Sequence, residues 1–451
     1  MAEKFDIAVI GSGPGGYTAA LRCAQKGAAV AIIEKDAIGG VCLNCGCIPS
    51  KALLASAHVF NLAKKAASFG VELDNPRVNW PKMQSSKDAI VSGLRKGLTG
   101  LIMGNKIKIF EGTGIVTAPG KIAVSGNNPT EIEANKIIIS TGSISTELPF
   151  IPFDGKTIIS STEALALAEI PKSMIVIGGG FIGCELGCVY ASVGTKVTII
   201  EALQNILPLE DEWIGKLMTR ELKKMGMEIL TGKKVTGSEK TESGANILLE
   251  DGSSIEAEKI LVSVGRRAYC DKQTVDNLSL EMNNRLIKVN NRMETNVPGV
   301  YAIGDVVGTT YLAHGAYYEG QVAAINATGG NAEVKDYHLV PRAIYTFPEV
   351  AGVGLTETKC KQQGIEYTIG KSFFKANGRS LAHQETVGEI RVIRDKSTSK
   401  VLGVTMLGDN VTELVAIARA LIGSSEKIDD IVFAHPTVSE VLKEAWLGFA
   451  H

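Results

Sequence analysis

One glycine-rich pattern occurs twice in this chain at matched spacing, and it limits the possible folds more than any other feature. Phe5 to Ile10 is a short β-rich run, followed at once by Gly11-Ser12-Gly13-Pro14-Gly15-Gly16. Tyr17 to Gln25 then reads as a helix, and a second β run, Ala29 to Ile33, ends at Glu34. Met174 to Ile177 starts the pattern again. Its turn is Gly178-Gly179-Gly180-Phe181-Ile182-Gly183, its helix Cys184 to Val193, and its second strand Lys196 to Ile200, ending at Glu201. Gly11 to Glu34 and Gly178 to Glu201 both span 23 positions. A lone glycine triplet could be any turn, but two complete units with one spacing read as two βαβ dinucleotide sites. In each, the first glycine (Gly11, Gly178) permits the tight turn and the second (Gly13, Gly180) lets a pyrophosphate approach the backbone. The third (Gly16, Gly183) lets helix and strand pack closely. The helix N-terminus offers unpaired N–H groups to the phosphates, and Glu34 and Glu201 are placed to accept hydrogen bonds from a ribose. A carboxylate at that position repels a 2′-phosphate. Ala202 follows Glu201, with no arginine there to receive one, so the second unit is expected to prefer NAD to NADP.

At 451 residues the chain is too long for one core, and two to four domains are expected. A net charge of −1 gives no field favouring nucleic acid or an acidic membrane surface. No run of eighteen apolar residues is present, so no membrane span is expected. The strand pattern beginning at Phe5 leaves no room for a signal peptide, and a cytoplasmic location is the expectation.

Of eight cysteines, three fall within six residues, at 42, 45 and 47. They lie in Gly39-Gly40-Val41-Cys42-Leu43-Asn44-Cys45-Gly46-Cys47-Ile48-Pro49-Ser50-Lys51, just after Glu34. A helical turn at this point would bring the sulfurs of Cys42 and Cys47 close enough to bridge, with Gly46 relieving the crowding. A dithiol beside a bound redox cofactor is a route for electrons. Two other readings stand beside it: a static disulfide, uncommon in the cytosol, and three soft ligands for a metal, for which no fourth ligand is near.

The run Cys42 to Lys51 resembles the active-site motif of the dihydrolipoamide dehydrogenases, within the pyridine nucleotide–disulfide oxidoreductases, and the resemblance extends over essentially the whole chain. It implies FAD at the first unit, NAD at the second, and a redox disulfide between Cys42 and Cys47. Cys45 departs from the usual valine, which reads as an apolar filler of similar size or as a competing thiol. The resemblance also implies that Lys51 sits beside the flavin and pairs with Glu185, where a fixed cation stabilises negative charge on a reduced flavin. It places Asp305 on the ribityl chain, and Ala313 and His314 by the flavin ring. Gly114 and the small-residue turn Thr141-Gly142-Ser143 are implied further contacts, with Val235 and Gly265 on the NAD side. Gly315, Tyr317 and Tyr318 depart from the charged residues usual after that histidine.

Near the C-terminus, Ala434-His435-Pro436-Thr437-Val438-Ser439-Glu440 has the form of a general base oriented by a carboxylate. Thr437 is expected to cap the following helix, and Glu440 to accept a hydrogen bond from the imidazole. A helix cap beside a surface histidine would give the same pattern. The resemblance identifies the run as the acid–base motif, reaching the disulfide of the other subunit, which implies a homodimer. Phe433 stands where many relatives carry a second histidine.

The expected architecture is α/β: two Rossmann-like dinucleotide-binding domains plus a C-terminal α+β dimerisation domain. Residues 1–145 and 270–335 form the FAD-binding domain, with a polar hairpin near Asn127. Residues 146–269 bind NAD, the last strand ending at Gly265-Arg266, and 336–451 form the interface domain. The expected reaction is oxidation of lipoyl-domain dihydrolipoyl groups by NAD⁺, the partners being 2-oxoacid dehydrogenase or glycine-cleavage complexes. Glutathione-type reductases share the fold, but Glu201 and Ser50 argue against them. Mercuric reductases end in a cysteine pair that Trp446 to His451 lacks. A flavin-fold binding subunit without activity is the reading furthest from these.

Overall fold

The structure, a computed structural model, describes residues 2–424 and 428–448. The end of the Trp446–His451 run therefore lies outside the described residues. The chain forms two compact units, one of residues 1–53, 81–146 and 265–337, the other of 54–80, 147–264 and 338–451.

The first unit is built on a seven-stranded sheet. Lys108–Glu111, Val30–Glu34, Glu3–Ile10 and Thr130–Ile139 lie side by side and parallel, and Val300–Ala302 pairs with the last of these. Lys121–Ser125 and Thr113–Ala118 continue antiparallel from Thr130–Ile139, which makes the polar hairpin around Asn127. The strand Glu3–Ile10 ends in four consecutive buried residues because both faces of the sheet are covered. Ile7 and Val9 pack on one side with Ala19, Ala20 and Cys23 of the helix Pro14–Gln25 and with Val322–Ala324. Ala8 and Ile10 pack on the other side with Val116, Ile122, Val124 and Leu278. The helix starts three residues earlier than its apolar pattern predicts, because Pro14 is well suited to the first helical turn.

The second unit holds a parallel sheet in the order Glu228–Thr231, Lys196–Glu201, Ser173–Ile177, Lys259–Val262, Ile158–Ile159. Ile175, Ile177, Ile200, Ile260 and Val262 bury one face against Ala245, Ile247 and Leu249 of an antiparallel three-stranded sheet. Its C-terminal part is a five-stranded antiparallel sheet with the helices Val411–Leu421 and Ser439–Leu447 packed on it.

The chain returns to the first unit at Gly265 rather than near residue 270. Gly265 (φ 119°) breaks the extended run, so the last strand of the parallel sheet is Lys259–Val262, and Arg266–Ala268 pairs antiparallel with Ser143–Ser145. Residues 54–80 also group with the second unit rather than the first. No membrane span is expected from the sequence, yet the helical stretch Gly40–Phe69 is long and apolar enough to cross a bilayer by length and composition. It is broken at Gly46, and its apolar positions Leu53, Leu54 and Ala57 are buried.

Candidate active site

The two glycine turns are superposable in their chemistry. Gly11 and Gly178 take left-handed φ values of 98° and 104°, and a side chain there would strike the carbonyls of Ser140 and Ser263. A Cβ on Gly16 would overlap the carbonyl oxygen of Gly11, and one on Gly183 that of Gly178. Gly13 and Gly180 have open space where a Cβ would stand, and each N-caps a helix with no side-chain cap. Uncapped N–H groups facing open space at the carboxyl ends of parallel strands suit a bound pyrophosphate. By that test both crevices fit a dinucleotide.

Glu34 and Glu201 are buried and held alike. Glu34 accepts from the Ser12 N–H (2.8 Å) and Oγ–H (2.6 Å) on one oxygen and from the Asp36 N–H (3.0 Å) on the other. Glu201 accepts from the Gly179 N–H (2.7 Å) and the Leu203 N–H (2.8 Å). Each carboxylate is thus fixed by the glycine turn it serves, with lone pairs left for a ribose.

Elsewhere in the first unit, Asp305 lies in the turn Gly304–Val306, and the Ser143 Oγ–H donates to it at 2.5 Å. Arg266 donates to the Ser143 hydroxyl and carbonyl, both at 2.7 Å. Beneath that turn the fully buried Glu319 accepts from the Gly304 N–H (2.6 Å), the Tyr337 hydroxyl (2.9 Å) and Thr309. Burial pushes the Glu319 carboxyl up, against these hydrogen bonds. Ala313 and His314 open the helix Ala313–Ala327. Gly114 sits in the strand Thr113–Ala118, where a Cβ would meet Ile33 at 3.1 Å. Lys51 lies in the first turns of the helix Cys47–Lys65.

The cysteine loop is tied to the first crevice. The Gly39 N–H donates to Ser12 Oγ (3.0 Å), the hydroxyl that also holds Glu34, and a side chain on Gly40 would press on Gly13. Asn44 closes the loop through its side-chain amide, which donates to the carbonyls of Ala37, Ile38 and Gly40 at 3.3, 3.1 and 2.9 Å. The cysteine pair does not share one helical turn, as the spacing suggests. A continuous α-helix would put residues five apart about 140° away from each other around the axis. The helix Gly40–Cys45 instead stops at Gly46 (φ −141°, ψ −110°), and Cys47 opens the next helix, Cys47–Lys65. That break turns the two side chains together, and Cys42 and Cys47 are hydrogen-bonded thiols. Its hydrogen bond with Cys47, and then burial, push the Cys42 thiol far up, while Lys51 pulls the other way. Cys45 is half-buried at the end of the short helix. Among the described residues, no group of three or more His, Cys, Asp or Glu is placed to hold a metal ion.

A Cβ on Gly46 would stand 2.9 Å from the Val41 carbonyl oxygen and 3.3 Å from Cys42 Cα. Gly46→Ala is therefore expected to push the two helices apart and to leave the pair slow to bridge. In the air-oxidised variant, titration should count close to two more reactive thiols than in the wild type. An unchanged count would show that the turn tolerates the methyl group.

In the second unit, Glu185 is buried in the helix Phe181–Ser192 and accepts from the Tyr345 N–H at 2.9 Å. Val235 opens the strand Val235–Lys240 and packs on the core. Gly265, expected on this side, belongs to the first unit.

The C-terminal motif forms a compact pair. Glu440 Oε1 lies 2.9 Å from His435 Nδ1, and Oε2 accepts from the Thr437 N–H at 2.8 Å. The expected cap is reversed: Thr437 makes no side-chain cap to the helix Ser439–Leu447, because its hydroxyl donates to the Ala434 carbonyl (2.8 Å). Glu440 reaches back to its backbone instead. Burial would raise the Glu440 carboxyl, but the Thr437 N–H and His435 more than offset it, and the group is held below the usual range.

Sequence reasoning missed Ser12, Arg266, Glu319 and the Tyr17–Tyr317 hydroxyl pair (2.6 Å). From the sequence Tyr317 is visible only as a departure, because its partner is 300 positions away.

The chain matches the family described as pyridine nucleotide-disulphide oxidoreductase over residues 5–320, and that family's dimerisation domain over residues 340–446. It is 40% identical to a dihydrolipoyl dehydrogenase of Bacillus subtilis, with 98% of both chains covered. It is 43% identical to a leghemoglobin reductase of Glycine max, over 98% of this chain and 87% of that one. Among solved structures, the HOCl-induced flavoprotein disulfide reductase RclA from Escherichia coli, in its Cu(II) complex, superposes with a TM-score of 0.89 at 25% identity over 99% of both chains. LpdA from Mycobacterium tuberculosis superposes with a TM-score of 0.92 at 22% identity over 99% of both, a likeness of fold.

Proposed function

The chain belongs to the pyridine nucleotide-disulphide oxidoreductases, and from that premise we propose that it oxidises protein-bound dihydrolipoyl groups while reducing NAD⁺ to NADH, using the Cys42–Cys47 couple and FAD. The observation that carries the reading is the thiol pair brought together by the Gly46 break and tied through Ser12 to the first dinucleotide crevice. FAD, held by the Gly11 turn, Glu34, the Thr141–Ser143 turn and Asp305, supplies the two-electron carrier between thiols and nicotinamide. The Gly178 turn and Glu201 hold NAD.

His435, oriented by Glu440, takes a proton from one substrate thiol. The resulting thiolate attacks Cys42 in the enzyme disulfide, forming a mixed disulfide and expelling Cys47 as a thiolate. The second substrate sulfur then attacks its neighbour, which closes the lipoyl ring and releases Cys42. The substrate has lost two electrons and two protons; the enzyme pair has gained the electrons, and the protons rest on His435 and Cys42. The dimerisation domain makes the protein a homodimer, and His435 serves the cysteine pair of the partner protomer. Lipoyl domains of 2-oxoacid dehydrogenase or glycine-cleavage complexes are its substrates, in a cytoplasmic setting.

Assays of the purified protein test this reading. Dihydrolipoamide with NAD⁺ should turn over, and glutathione disulfide should not be reduced. Glu201 should make NADP⁺ worse than NAD⁺ by roughly 10²-fold, since juxtaposed like charges are strongly unfavourable. Faster reduction of glutathione disulfide with NADPH would replace this reading with the glutathione-type one.

A further inference from the structure

The segment after Arg266–Ala268 crosses the mouth of the first crevice. The Tyr269 N–H donates to the Gly142 carbonyl (2.9 Å), and Thr141 Oγ1 donates to the Tyr269 carbonyl (2.5 Å). The backbone of Tyr269 is thus held just beyond the carboxyl end of the strand Thr130–Ile139. Over its ring lies the side-chain end of Lys35, the residue that follows Glu34 at the end of a different strand, with Nζ 4.6 Å from the ring centroid. Between these two strands lies Glu3–Ile10, which runs into the Gly11 turn. Tyr269 and Lys35 together therefore span the strand ends where a parallel α/β sheet takes its ligand.

The span is anchored on both sides of the ring. Before it, Arg266–Ala268 is paired with Ser143–Ser145. After it, Cys270 packs on the sheet core, and Asp271 caps the helix Lys272–Leu278 by accepting from the Gln273 N–H (2.8 Å). A half-buried aromatic ring on so fixed a backbone, beside the residue that meets the ribose, suits the face of a purine. Lys35 over the ring gains a cation–π contact that limits its freedom to swing away.

We propose that Tyr269 and Lys35 form a clasp over the adenosine half of FAD, with the Tyr269 ring as the stacking wall and Lys35 holding it in place. The proposal rests on FAD occupying the first crevice. It concerns retention of the cofactor and not the thiol chemistry.

The test follows FAD release from the holoenzyme by the rise in flavin fluorescence, with thermal unfolding of the apoprotein as a control on folding. Tyr269→Ala should release FAD about 10-fold to 100-fold faster, the scale of a lost base–aromatic stack. Tyr269→Phe keeps the ring and should stay within about twofold of the wild type. Lys35→Met should fall between them, and apoprotein unfolding should be unchanged in all three. Wild-type release from Tyr269→Ala overturns the clasp, as does faster release matched by an equally destabilised apoprotein. If the wild type neither carries nor takes up FAD, the cofactor reading fails and the clasp falls with it, an outcome visible before any variant is made.

Discussion

Cys47→Ser is expected to abolish dihydrolipoamide turnover, by roughly 10⁴-fold or more, in a protein that still folds and binds FAD. Serine has nearly the shape of cysteine, is well tolerated at a helix start, and here replaces a half-buried residue. The Gly11 turn, Glu34 and Asp305 are untouched, so the flavin spectrum should persist. What is lost is the sulfur that leaves when substrate attacks Cys42, and no neighbouring group in the scheme replaces it. The change also has a signature in Cys42. In the wild type that thiol is pushed up first by its hydrogen bond with Cys47, then by burial. Cys47→Ala removes the first cause and leaves burial opposed by Lys51, so the folded-state pKa moves down. Alkylation of Cys42 by iodoacetamide should set in at lower pH than in the reduced wild type. Retained lipoamide activity in Cys47→Ser would remove the scheme, and an unmoved alkylation profile would remove the hydrogen bond with Cys47 as the cause of the raised Cys42 thiol.

The sequence read well where sterics leave one choice. A side chain on Gly16 collides with the Gly11 carbonyl and one on Gly183 with the Gly178 carbonyl, so the glycine spacing is itself the geometry of the turn. The buried carboxylates of Glu34 and Glu201 follow from it, each held by the turn 22 residues earlier. What stayed hidden depends on partners far along the chain or on one backbone angle. Arg266–Ala268 is too short to show a period, and it finds Ser143–Ser145 more than 120 positions away. Glu319 reads as an ordinary helix glutamate until the fold places the Gly304 turn above it. The break at Gly46 rests on one pair of backbone angles (φ −141°, ψ −110°), which the residue types on either side do not specify. Thr437 had the composition of a cap, but the local competition for its hydroxyl went to the Ala434 carbonyl.

His435→Ala is expected to lower dihydrolipoamide turnover by about 10²-fold to 10⁴-fold, the range for a lost general base. The imidazole is 80% exposed in the single chain, while its Nδ1 is fixed by Glu440, which leaves Nε2 to accept the proton. Glu440 should keep its charge wherever a histidine titrates: its folded-state carboxyl is depressed, so the stabilising carboxylate is lost only as pH falls through that lowered value. Glu440→Gln keeps the shape without the charge and should cost about 10²-fold to 10⁴-fold, within the range for impaired general base catalysis. The proposed action of His435 across a two-fold interface makes a sharper test possible. Unfolding and refolding Cys47→Ser together with His435→Ala, each inactive alone, gives heterodimers in which one site holds both lesions and the other holds neither. Random pairing should restore about a quarter of wild-type activity. If His435 served the cysteines of its own chain, every site in the mixture would carry a lesion, and no activity would return.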